Sequence, residues 1–111
     1  MNEVIAYAFD SHAVRALLRQ GDPWFVAADV CTALSIADTG VAVRKLDVDE
    51  KGACSIRTPG GDQEMLIVSE SGLFTLALRC RDAMTPGTPA HRFRKWVTAE
   101  VLPSIRRTGG Y

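Results

Sequence analysis

The chain has 111 residues, 47% of them hydrophobic, with 13 basic and 13 acidic side chains that leave a formal net charge of zero. That length suits one domain able to bury its own core without disulfide or metal staples. No apolar run reaches about eighteen residues, so no membrane span is expected, and the three scattered cysteines (Cys31, Cys54, Cys80) have neither a Cys-x-x-Cys spacing nor an even count, which speaks against a disulfide framework and against zinc.

The N-terminal Met1-Asn-Glu-Val4 has neither the basic start nor the apolar stretch of a signal peptide, so a cytoplasmic setting is expected. Val4–Phe9 is a short apolar run closed by an Asp10-Ser11 turn. From Ala13 to Leu18, Val14, Ala16 and Leu18 alternate with Arg15, Leu17 and Arg19, the period of a half-buried strand. Gly21-Asp22-Pro23 is expected to turn the chain into a third strand, Trp24-Phe25-Val26, giving a small antiparallel sheet.

Ala27–Leu34 carries Val30 and Leu34 at helical spacing. Ser35-Ile36-Ala37 interrupts it, and Asp38 can cap a second helix running to about Leu46, with Gly40 as its weak point. Asp47–Gly52 reads as an acidic exposed loop. Ala53–Arg57 and Glu64–Val68 read as strands joined by Thr58-Pro-Gly-Gly-Asp62, in which proline presets one φ and glycine supplies the other. Ser69 caps a helix reaching Arg79, with Val68 and Leu73 placed for a hydrophobic staple and Leu73, Leu76, Ala77 and Cys80 on its core face. Asp82–Thr88, which contains Pro86-Gly87, is expected to be the most exposed loop. Thr88 and Pro89 then form a cap and first helical position for the last helix. Phe93, Trp96 and Val97 give that helix an apolar stripe, Pro103 should kink or restart it, and Gly109-Gly110 should end it. The fold class is α+β: small antiparallel hairpins packed against about four helices in one domain, residues 1–111.

The neutral total hides an uneven distribution. Residues 1–55 carry five Lys or Arg against eight Asp or Glu, whereas residues 56–111 carry eight against five. From Arg79 onward the count is seven basic to two acidic, a surplus of five. Local potential, not the total, steers a polyanion. Arg92 and Lys95 share one flank of the last helix and Arg94 lies on the other, so they do not form one flat stripe.

Signs of catalysis are missing. His12 and His91 lack spaced partners for a metal. Pro59-Gly60-Gly61 lacks the lysine and following helix of a phosphate loop, and Ser69-Glu70-Ser71-Gly72 is not a nucleophile elbow. Asp47, Asp49 and Glu50 cluster without calcium-loop spacing. No enzyme and no cofactor are expected. Glu100 falls among Phe93, Trp96 and Val97 on the apolar side of the last helix, where a partly buried carboxylate would pair with Arg79 or Arg81.

Several strings occur in order: Gly21-Asp-Pro-Trp-Phe-Val-Ala-Ala-Asp-Val-Cys31 with Ala33-Leu34, Asp47-Val-Asp-Glu-Lys-Gly52, Thr58-Pro-Gly-Gly61, Ser69-Glu-Ser-Gly-Leu-Phe74, Phe93-Arg-Lys-Trp-Val97, and Glu100-Val-Leu-Pro-Ser-Ile-Arg106. Together they resemble the Bro-N domain, the N-terminal module of baculovirus Bro proteins and of phage and prophage antirepressors. The resemblance covers nearly the whole chain and implies DNA binding in proteins that act on viral or prophage gene expression. Such proteins usually carry a second, C-terminal domain, which would begin near Gly109-Gly110-Tyr111. The chain departs from the pattern at Leu46, where a more polar residue is common, and at Asp82–Thr88, which replaces a shorter, more basic link.

Two functions follow as expectations. The first is a DNA-binding domain in which Arg79, Arg81, Arg92, Arg94, Lys95, Arg106 and Arg107 contact phosphates of double-stranded DNA. Within it, a second surface is the helix pair Ala27–Leu34 and Asp38–Leu46, with Arg44 and Lys45 at its end and helix-turn-helix-like spacing. Asp29 and Asp38 would put acid beside a duplex there, so the C-terminal arginines rank first. The second function is a protein-interaction module that binds a phage repressor or pairs with itself, using Trp24, Phe25, Phe74 and Trp96 as anchors.

Overall fold

A computed structural model describes residues 4–9, 11–80 and 86–109, the last two of these by their backbone alone. Strands β1 (Val4–Phe9), β2 (His12–Arg19), β3 (Asp22–Val26), β4 (Lys51–Thr58) and β5 (Gly61–Ser69) form one antiparallel sheet of order β1-β2-β3-β5-β4. The β2–β3 turn is made by Gln20 and Gly21, both at positive φ (55° and 84°), the paired left-handed geometry whose twist matches a two-residue hairpin. The turn thus falls one residue earlier than Gly21-Asp22-Pro23, and Pro23 lies inside β3. It is tolerated there because β5 pairs with β3 only at Trp24, Phe25 and Val26, leaving Pro23 at the strand's open end. That β3–β5 pairing (Phe25 opposite Val68) also joins what the sequence suggests as two separate hairpin units into one sheet.

The helices are α1 (Ala27–Ala33), α2 (Thr39–Arg44), α3 (Glu70–Arg79), α4 (Pro89–Trp96) and α5 (Leu102–Gly109), with a 3-10 turn at Val48–Glu50. They cover one sheet face, where Val14, Ala16, Phe25 and Val68 meet Val30, Leu73, Leu76, Phe93 and Val97 in the main core. On the other face Leu17, Val26, Ile56 and Ile67 are buried beneath Val4, Trp24, Cys54 and Met65. The Arg19 guanidinium lies 5.3 Å from the Trp24 ring centre, and a Cβ at Gly52 would come within 2.9 Å of Arg19 Nη1. A bare backbone at Gly52 therefore lets this stacked pair lie across the sheet.

The expected caps are present. Ser69 Oγ accepts the Gly72 amide at 3.0 Å and Thr88 Oγ1 accepts the His91 amide at 3.3 Å, with Pro89 at the first helical position. Asp38 accepts the Val41 amide at 3.0 Å, yet α2 closes at Arg44, short of Leu46. Of the expected Asp82–Thr88 loop, residues up to Thr85 lie outside the described residues, and Pro86 and Gly87 form a turn into α4.

Pro103 does not break the C-terminal helix. Having no N–H for the Ala99 carbonyl, it follows a π-helical stretch, Val97–Val101, in which the Leu102 amide reaches back to the Val97 carbonyl. The extra residue in that turn rotates the helix phase by about 100°. Glu100 is consequently exposed, not on the apolar side, and the structure does not pair it with Arg79; Arg81 lies outside the described residues. The helix docks on β1 through aromatic contacts, Phe9 to Phe93 at 5.2 Å and to Trp96 at 5.1 Å, and through Tyr7 Oη donating to Ser104 Oγ at 3.4 Å.

Leu34 caps the end of α1, and Ser35 follows at φ 62° while the Ile36 amide donates to the Cys31 carbonyl and the Ser35 amide to that of Thr32. This is a left-handed helix terminus occupied by a residue with a Cβ, which glycine fills at lower cost. Ser35→Gly is expected to stabilise the fold by about 1 kcal/mol and raise the melting temperature by about 4 °C; a lower melting temperature would contradict the assigned geometry.

Candidate nucleic-acid interface

The site is organised by a carboxylate that the sequence places in an exposed loop. Glu50 is only 8% exposed. Its Oε1 accepts the Asp47 amide at 3.1 Å, and its Oε2 accepts the Ser71 hydroxyl at 2.6 Å and the Thr75 hydroxyl at 3.1 Å. The Ser71 hydrogen bond above all, then the Asp47 amide, holds the carboxyl below its ordinary range against the opposing effect of burial, with the Arg79 charge adding to it. Gly72 permits the approach, since a Cβ there would sit 2.5 Å from the Glu50 carbonyl oxygen. The acidic segment is therefore a capped turn fastened to α3, not a free loop.

This fastening brings the end of α2 beside the end of α3. Lys51 Nζ donates to the Arg44 carbonyl at 3.0 Å and Arg79 Nη2 to the Lys45 carbonyl at 3.5 Å, so two cations meet the last carbonyls of α2, where the helix dipole favours them. Arg44 and Lys45 are exposed beside them. Lys45 and Arg79 border a cleft whose far wall is Thr88, Pro89 and Ala90 at the start of α4. Arg92, exposed on α4, donates from Nη1 to the Gly87 carbonyl at 3.0 Å, next to that wall. Arg44, Lys45, Arg79 and Arg92 thus gather at one end of the molecule, with Lys51, which sequence reasoning missed. The only signal for Lys51 was its position after the acidic turn.

The other C-terminal cations lie elsewhere. Arg106 Nη2 stands 3.9 Å from Glu70 Oε2 at the start of α3, whereas Arg79 ends that helix. Glu70 and Arg79 are the first and last residues of α3, about 14 Å apart along its axis, so the basic C-terminal third is not one surface. Lys95 and Arg107 are exposed, while Arg94 is half-buried with a buried Nε that has no hydrogen-bond partner. Arg81 lies outside the described residues.

The acids thought to oppose a duplex are engaged. Asp29 takes the Arg15 amide at 2.9 Å, Arg15 Nε at 2.8 Å and Nη2 at 3.0 Å, a bidentate pair whose Asp29 side chain is 13% exposed. Asp38 is occupied by capping α2. Among the described residues no three His, Cys, Asp or Glu side chains gather as metal ligands, and no helix there is long and apolar enough to cross a membrane. Cys31 is buried and its thiol is pushed up by that burial.

The fold is thus a small α+β module with a cluster of cations where α2 and α3 end. The family model for the BRO family N-terminal domain matches residues 13–103, and the chain belongs to that family. Bro-N modules are regulatory, antirepressor-type and non-enzymatic. The chain is also 34% identical over 109 residues to an uncharacterized protein of Haemophilus influenzae strain Rd, across 95% of this chain and 51% of that protein, so it spans about half the length of this curated relative. No solved structure matches it.

The Glu50 clamp has a pH signature. Because its folded value is lowered, its stabilisation is present at neutral pH and lost as pH falls through and below the ordinary carboxylate range. Glu50→Gln is expected to cost about 2 kcal/mol at neutral pH and to flatten the acid side of the stability profile in chemical denaturation. A variant curve parallel to wild type would remove Glu50 from this role.

Proposed function

We propose that this chain is a non-enzymatic DNA-binding domain of an antirepressor-like regulator of phage or prophage transcription, acting in the cytoplasm of a bacterial host. The observation that carries the reading is the meeting of Lys45 and Arg79 at a cleft lined by no carboxylate among the described residues, with Arg44 and Lys51 at the same end of α2 and Arg92 bonded to Gly87 beside the opposite wall. Cations at this spacing serve as phosphate contacts, which position a protein on a duplex without reading sequence. They also offset the negative end of the α2 dipole, which alone would repel a phosphate. Arg106, Arg107, Arg94 and Lys95 rank second, because they lie away from this cluster or are partly buried.

The alternative, docking onto a repressor protein or onto a second copy, has less support. Phe25 is fully buried, Phe74 and Trp96 pack against the main core, and Trp24 lies under Arg19. The aromatic anchors on which that reading relied are engaged inside the domain.

Fluorescence anisotropy of a labelled generic duplex across a range of salt tests the proposal. With about four phosphates neutralised, the logarithm of affinity should fall with the logarithm of salt at a slope of about −3.6. Arg44→Glu with Lys45→Glu should weaken binding at least about tenfold and flatten the slope by about 2, whereas Arg106→Glu with Arg107→Glu should have the smaller effect. Absence of binding at low salt, or a larger loss from the α5 pair, would refute this assignment.

A further inference from the structure

The cleft between α1, α2, α3 and α4 has a composition that phosphate binding does not use. Its volume is about 500 Å³, and Leu34, Ile36, Ala42, Leu76 and Ala90 line it. Two cations, Lys45 and Arg79, stand among these apolar walls, and among the described residues no acidic side chain does. Apart from Arg79's 3.5 Å contact with the Lys45 carbonyl, neither side chain has a hydrogen bond or ion pair among the described residues. A sugar-phosphate backbone would engage the cations and leave the apolar walls idle. Walls of aliphatic carbon beside a pair of cations instead suit a molecule with an aliphatic body and one anionic head. The volume falls in the range of small-molecule sites, about 300–1,000 Å³, and the cleft is bounded on several sides by different elements, unlike the long groove that a peptide helix requires.

We propose that this cleft binds a small amphiphilic carboxylate, its aliphatic chain against Leu34, Ile36, Ala42 and Leu76 and its head on Lys45 and Arg79. The attraction is twofold: apolar surface leaves water, and the carboxylate finds two hydrogen-bonding cations. Because Lys45 and Arg79 are also the phosphate contacts proposed above, a bound carboxylate would compete with DNA. That consequence rests on the DNA-binding reading, whereas binding of the carboxylate does not.

The probe is decanoate below its micelle concentration, titrated into the whole chain and followed by amide chemical shifts, with acetate in parallel. The expected result is saturable shifts at Leu34, Ile36, Ala42 and Leu76, at least about tenfold tighter than acetate. Lys45→Glu, an exposed substitution, should weaken decanoate at least about tenfold while leaving the remaining spectrum intact. Ala42→Met, which fills the cleft, should weaken it with the charges unchanged. Unsaturable or scattered shifts, equal binding of acetate, or an undiminished affinity in Lys45→Glu would each overturn the site. In a separate arm, decanoate should release a labelled duplex from the wild-type chain. Saturable decanoate binding without that release would leave the site standing and count against the shared cations, and thus against the DNA-binding surface.

Discussion

The arrangement of this domain depends on the buried carboxylate of Glu50. Removing a carboxylate from water costs several kcal/mol unless its lone pairs are met by donors, and here an amide and two hydroxyls meet them. The donors come from two places in the chain: Asp47, in the turn that follows α2, and Ser71 and Thr75, on the first turns of α3. The bond network therefore ties together segments more than twenty residues apart. It fixes where α2 ends, sets Arg79 against the Lys45 carbonyl, and leaves Lys51 free to reach the Arg44 carbonyl. Remove the clamp and the cations have no common platform.

Electrostatics at this end follow from where the acids are held. The chain as a whole is neutral, yet Asp29 is paired with Arg15, Asp38 caps its own helix, and Glu50 is turned inward onto hydroxyls. Among the described residues the charged side chains that line the cleft itself, Lys45 and Arg79, are basic, while Asp47 and Asp49 stay exposed in the adjoining turn. A net charge of zero is thus compatible with a locally positive field, which is the quantity that acts on a polyanion. Membership of the BRO family N-terminal domains fits a recognition module of this kind.

Local features were legible and distant ones were not. The caps at Asp38, Ser69 and Thr88, the Pro89 start and the Pro59-Gly60 hairpin turn each rest on a side chain or φ preference acting within three residues, and all appear in the structure. The β3–β5 register joins strands about forty residues apart, and nothing in either strand names its partner. Glu50 looked like one acid among three because its burial is created by α3. A regular 3.6-residue period run from Phe93 misplaces Glu100, because the helix takes in an extra residue over Val97–Val101. Of the site, the helix pair ending at Arg44 and Lys45 could be read directly. Its union with Arg79 depends on the Glu50 clamp, and the separation of Arg79 from Arg106 on α5 meeting the start of α3 at Glu70.

Mapping amide chemical shifts of the isotope-labelled chain during titration with a generic duplex tests the central claim most directly. The account predicts that the largest shifts fall at Arg44, Lys45, Lys51 and Arg79, with Arg92 joining them across the cleft. Shifts centred on Arg106 and Arg107, with the end of α2 unmoved, would contradict it.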